Sequence, residues 1–132
     1  MDAYPDTSLT ETELADLQKA GALIQEGLRE KENPSKLRLV LVELQALRWT
    51  IGNKMAKAKG QKRDAFRNAY NTNKNKKMSP NAAYKEAEAD EVVTRWKNTA
   101  DILETAYDVM QNFVNTNQTS VRLAAEESKN NL

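Results

Sequence analysis

Few side chains in this chain are equipped for chemistry. It has no histidine and no cysteine, which removes the commonest general base, the commonest transition-metal ligand, and any thiolate site or disulfide. Nucleophilic catalysis would then need a Ser–Lys or carboxylate device. The serines are Ser8, Ser35, Ser79, Ser120 and Ser128, and Ser35 and Ser79 sit where helices begin. Glu86 and Asp90, four apart, could share a helix face as hard-cation ligands, the one arrangement a metal-dependent enzyme could be built on. A row of lysine and arginine opposite them explains the pair more simply. No glycine-rich phosphate loop occurs. The sequence therefore reads as non-enzymatic, with no catalytic residue, metal site or cofactor assigned.

Charge is the stronger signal. The net charge of +1 conceals an uneven distribution. Residues 1–33 are mostly acidic. Residues 54–77 hold Lys54, Lys57, Lys59, Lys62, Arg63, Arg67, Lys74, Lys76 and Lys77 against Asp64 alone, and acids again predominate from residue 78 onward. Such a run is usually a solvated pairing face. It could also bind phosphate, with Lys62, Arg63, Arg67, Lys74, Lys76 and Lys77 as candidate nucleic-acid contacts. Phe66 and Tyr70 lie among these bases, where aromatics can stack on single strands but more often pack between helices. Trp49 falls off the main apolar stripe of its segment and is a candidate partner-binding anchor.

The elements that must position these residues are helices. Glycine, proline and aromatics are scarce, charged residues make up 30% of the 132, and apolar residues recur at steps of three and four. Residues 1–9 read as a flexible leader. Thr10-Glu11-Thr12-Glu13 fits a capping box, with Leu9 and Leu14 placed for a hydrophobic staple. The helix that follows, 11–32, carries Leu14, Leu17, Gly21, Ile24 and Leu28 on one face, and Gly21 could admit a close neighbour. Asn33-Pro34 ends it and starts a second helix, 34–70, whose seam is Leu37, Leu41, Leu44, Leu47, Ile51, Met55 and Ala58. The Asn/Lys-rich residues 71–78 form a loop. Ser79-Pro80 then opens a third helix, 80–117, along Ala82, Ala89, Val93, Trp96, Ala100, Leu103, Tyr107, Met110 and Val114.

A short loop between long helices implies an antiparallel hairpin. With the turn centred near residues 75–76, Leu41 faces Met110, Leu44 faces Tyr107 and Met55 faces Trp96. The Lys57–Arg67 stretch then faces Glu86, Glu88, Asp90 and Glu91, leaving Lys74, Lys76 and Lys77 without acidic neighbours. The fold class is all-α: a long, coiled-coil-like antiparallel hairpin with an additional N-terminal helix, forming a three-helix domain over 10–117. Residues 118–132 are a helical extension or frayed tail that outruns the second helix. Val121 and Leu123 there are further candidate contacts for a partner or a second copy.

The acidic, polar N-terminal stretch lacks a signal-peptide pattern. The longest aliphatic run, Leu39–Val42, is far short of the ~20 residues a membrane span needs. The expectation is a cytoplasmic protein with no membrane role. The stretch YNTNKNKKMSPNAAYKEAEADEVV, continuing to LETAYDVM, resembles small phage and prophage helical-hairpin proteins of unassigned role. That resemblance covers roughly residues 60–125. It implies a phage-encoded accessory protein of the host cytoplasm and assigns no site residue. The reading that follows is a non-enzymatic protein-interaction module, an accessory factor or inhibitor of a host or phage protein, that forms a homo-oligomer. The alternative is a nucleic-acid-binding accessory using residues 54–77.

Overall fold

Four helices, with no strand among the described residues 6–130, make up the computed structural model. They are α1 (Glu11–Arg29), α2 (Pro34–Asn75), α3 (Pro80–Glu88) and α4 (Glu91–Asn130). α1 starts at the capping box: the Glu13 amide donates to Thr10 Oγ1 at 3.1 Å and the Thr10 amide to Glu13 Oε1 at 2.9 Å. α2 starts at Asn33, whose side-chain oxygen accepts from the Lys36 amide at 3.3 Å, with Pro34 in the first turn.

The core is the seam between α2 and α4. Leu37, Leu44 and Ile51 meet Leu103, Met110 and Val114, all fully buried. Fully burying side chains of this size is worth about 1.5–3 kcal/mol each, so this seam rather than helix propensity holds the hairpin. α1 folds back along α2, tied by Asp16–Lys54 at 3.0 Å, and buries Ala20, Leu23 and Gly27. The all-α hairpin with an N-terminal brace is thus the observed architecture.

Several details differ from the sequence reading. α2 continues past Tyr70 to Asn75 because its last turn closes on itself: the Met78 amide donates to the Asn73 carbonyl at 3.3 Å and the Lys77 amide to that of Lys74 at 3.0 Å. This is a Schellman cap, and its left-handed residue is Lys77, with φ 64°. The third helix is not continuous. Asp90 breaks it by accepting from the Val92 and Val93 amides at 3.0 and 3.3 Å, a side-chain cap that competes with an unbroken ladder. The break resets the helical phase, so α3 buries Ala83 and Ala87 while Ala82 is exposed.

The longer α2 and the non-helical step at 89–90 together shift the register by about two turns. Tyr107 packs on Gly52 and lies 5.8 Å from the Arg48 guanidinium, instead of opposite Leu44. α2 therefore covers α4 well past Asn117, and Val121 packs on the core. On α1 the buried face is turned by a residue: Leu14 and Leu28 are exposed, nothing lies near Gly21, and the close approach is at Gly27. Of the leader, residues 1–5 fall outside the described residues. Thr7 is buried, with its carbonyl accepting from the Thr99 hydroxyl, and Leu9 packs on the core, so Thr7 and Leu9 anchor this stretch while Asp6 and Ser8 are exposed. Residues 131–132 of the tail are also outside the described residues, and the rest of it is helix.

Candidate functional site

Charge sorts by helix. α2 carries Lys36, Arg38, Arg48, Lys54, Lys57, Lys59, Lys62, Arg63, Arg67 and Lys74 against Glu43 and Asp64, so the basic character extends well before residue 54. Acids facing it neutralise only part of this. Lys54 pairs with Asp16 of α1, and Lys59 with Glu104 of α4 at 3.5 Å. Two of the four acids expected to do the pairing are used otherwise: Asp90 caps α4, and Glu91 pairs with Arg95 one turn on, at 2.9 Å. The shift in register accounts for the change of partners, since it carries Glu104 rather than Glu91 up to Lys59.

Lys62 and Arg63 line an open cleft of about 950 Å³ with Phe66, Tyr84, Glu88 and Asp101. Cations on the α2 wall thus face carboxylates on the other. Phe66 stacks on Tyr70 at 6.5 Å between ring centroids and meets Tyr84 edge-on at 5.1 Å. These rings are engaged in joining α2 to α3, which weakens their case as stacking platforms. Tyr84 was not among the residues picked out by spacing. It lies next to Ala83 and three residues before Ala87, the pair that α3 buries.

At the hairpin tip Lys74, Lys76 and Lys77 are all exposed. Lys76 does not stand apart from acids, because it lines a cleft with Asp64, Glu86 and Asp90. Arg67 is exposed on α2. The six candidate nucleic-acid residues therefore split between the tip, the mixed-charge cleft and one outward position.

The partner-binding candidates divide similarly. Trp49 is 75% exposed on α2, beside a shallow cleft formed by Gln45, Arg48, Gly52 and Tyr107. Leu39 and Val42 are exposed on the same helix at 66% and 57%. Their spacing with Ala46 and Trp49 gives a second apolar row, on the side of α2 away from its seam. Leu123 is exposed, whereas Val121 is half-buried, packs on the core and lines an open cleft with Leu41. Trp49 and Leu123 do not converge.

Among the described residues no three carboxylates gather into a cluster that could hold a metal, and no buried side-chain nitrogen or oxygen lacks a partner. Asn117, the polar break in the α4 seam, turns its amide to the Phe113 carbonyl at 2.8 Å. Asp6, at the protein surface, has its carboxyl held below the usual range by hydrogen bonds from the Ser8 hydroxyl and amide. No described helix is long and apolar enough to cross a membrane. The fold and surfaces together define an all-α helical hairpin with open, solvent-facing clefts. In comparison with known proteins the chain matches no family model, no curated protein and no solved structure.

Proposed function

We propose that the protein is a non-enzymatic interaction module that docks another protein on the outward face of α2, with Trp49 as the anchor. The observation that carries this is the 75% exposure of Trp49 within the row Leu39, Val42, Ala46 and Trp49. An apolar row held on a rigid helix suits helix-face docking, and tryptophan is enriched among the few residues that carry most of the binding energy in protein contacts. The phage resemblance adds the expectation of an accessory factor or inhibitor acting in the host cytoplasm. The test is site-specific photo-crosslinking from position 49 in the producing cell. A discrete adduct that is absent when the crosslinker sits at Lys31, and that Val42→Glu abolishes, supports the reading. Absence of any adduct at 49 overturns it.

Nucleic-acid binding is the second reading, favoured by Lys77. A lysine occupies the left-handed position of the turn, which glycine fills at lower energy, and this keeps a third cation at the tip. Phosphate binding would weaken steeply with added salt, whereas docking on an apolar face would not. Fluorescence anisotropy with labelled single- and double-stranded DNA and RNA, at low and physiological salt, separates the two. Salt-sensitive binding that a Lys74/Lys76/Lys77→Ala variant loses would establish the second reading.

A further inference from the structure

Two rows of residues remain unpartnered after the hairpin and its brace are assembled. On α1, Leu14, Gly21 and Leu28 recur every seventh residue. On α4, Ile102, Val109, Thr116 and Leu123 do the same. The apolar members are about half exposed, from 46% at Leu14 to 55% at Leu28, and a Cβ on Gly21 would meet nothing within 4 Å.

The rows flank one groove. α1 runs parallel to α4, fixed at one end by the Thr99 hydroxyl on the Thr7 carbonyl and at the other by Phe113 against Gly27. The α1 side that faces α2 is marked by the ion pairs Asp16–Lys54 and Glu30–Lys36. Leu14, Gly21 and Leu28 lie round the helix from it, past Leu17 and Ile24, toward α4. On α4, Ile102 and Val109 lie one helical step beyond the face that Thr99 and Phe113 turn to α1.

We infer that this α1/α4 groove is the interface of a homodimer. The residues between the apolar ones are Gln18 and Gln25 on α1, and Thr105 and Asn112 on α4. Neither row contains a charged side chain, in a chain that is 30% charged. A partner of either charge would find no counter-charge there. A second copy meets no like-charge repulsion, and every amide and hydroxyl on the rows can both donate and accept, so a two-fold arrangement is self-complementary. Alongside the 19 residues of α1 the face is about 28 Å long and two helices, roughly 20 Å, wide, and α4 carries it on, one helix wide, to Leu123. It would cover on the order of 700 Å² per copy, near the ~800 Å² a side of stable interfaces. The open notch at Gly21 lets the copy's side chains approach the α1 backbone. This face is separate from the Trp49 row, so it stands or falls independently of the docking reading.

The experiment is sedimentation equilibrium of the full chain across the micromolar range, for the wild type and for Val109→Glu, Leu28→Lys and Val42→Glu. The expected result is a concentration-dependent dimer whose dissociation constant rises at least about tenfold in the first two variants and is unchanged in the third. Circular dichroism identifies whether a variant remains folded, and Leu28→Lys and Val109→Glu alter different helices, so misfolding of one leaves the other to decide. A wild type that is monomeric throughout overturns the proposal. So does a dimer that survives both groove substitutions, or one that Val42→Glu breaks.

Discussion

Phe113 of α4 lies against Gly27 of α1 so closely that a Cβ on Gly27 would stand 2.6 Å from the ring Cζ and 2.9 Å from Cε1. Val40 of α2 stands behind, at 3.3 Å. All three long helices thus meet at one glycine. Gly27→Ala must push the ring outward, and overpacking of this kind is expected to lower stability by about 1–3 kcal/mol, less the small gain in helix propensity. Gly60 on α2 is the internal contrast: nothing lies within 4 Å of its added Cβ, and Gly60→Ala should raise stability by about 0.4–1 kcal/mol. Urea titrations of the two variants, with opposite signs, check both.

Asp90 is the sole reason visible in the structure for the interruption between α3 and α4. Asp90→Ala removes the acceptor from the Val92 and Val93 amides and should cost about 0.5–2 kcal/mol. Asp90→Asn keeps a capping oxygen and should retain most of the stability. Thermal denaturation followed at the helical dichroism band distinguishes the two. Equal losses in both variants would show that the cap is not the cause.

Lys77 holds φ at 64° with a β-carbon, a conformation that costs an L-residue roughly 1 kcal/mol. Lys77→Gly is therefore expected to stabilise the hairpin by up to about that amount, while weakening any phosphate binding at the tip. Denaturant melts read the first effect and the salt-dependent anisotropy titration the second.

The two tryptophans should report different surroundings. With Trp96→Phe, emission comes from the exposed Trp49 and should be red-shifted and readily quenched by iodide. With Trp49→Phe, the half-buried Trp96 should emit further to the blue and resist quenching. Trp49→Ala should change stability by no more than about 0.5 kcal/mol, because the ring packs on little within its own chain.

The periodic stripe of α2 carried the architecture in plain view: Leu37, Leu41, Leu44, Leu47 and Ile51 are all buried as their spacing requires. The Thr10/Glu13 box and the Asn33-Pro34 start were equally legible, because each is local chemistry within a few residues. The register was not. It depended on how many residues the tip consumes, and neither a lysine in a left-handed cap nor an aspartate breaking an alanine-rich helix announces itself by glycine or proline. The pairing of Lys59 with Glu104 instead of Glu91 follows from that one miscount, as does the burial of Val121. The exposure of Trp49 was legible, since residue 49 falls outside the stripe. The turning of the α1 face was hidden because Ala20, Leu23 and Gly27 are together smaller than the leucines left outside, and the narrow gap beneath Phe113 selects for small size.

The residues that close the seam change in size along the hairpin. Near the base they are Leu37, Leu44, Ile51, Leu103, Met110 and Val114. Beyond Ala58 the buried apolar residues are Val93 and the methyls of Ala83, Ala87 and Ala100, helped by the Phe66–Tyr84 contact. Each alanine withdraws far less apolar surface from water than a leucine does. The molecule is thus a graded zipper, fastened firmly at one end and lightly at the other. Amide protons around α3 should exchange through sub-global opening well before those around Leu44 and Leu103. The most strongly basic stretch of the chain lies on the part that can come apart without the whole unfolding.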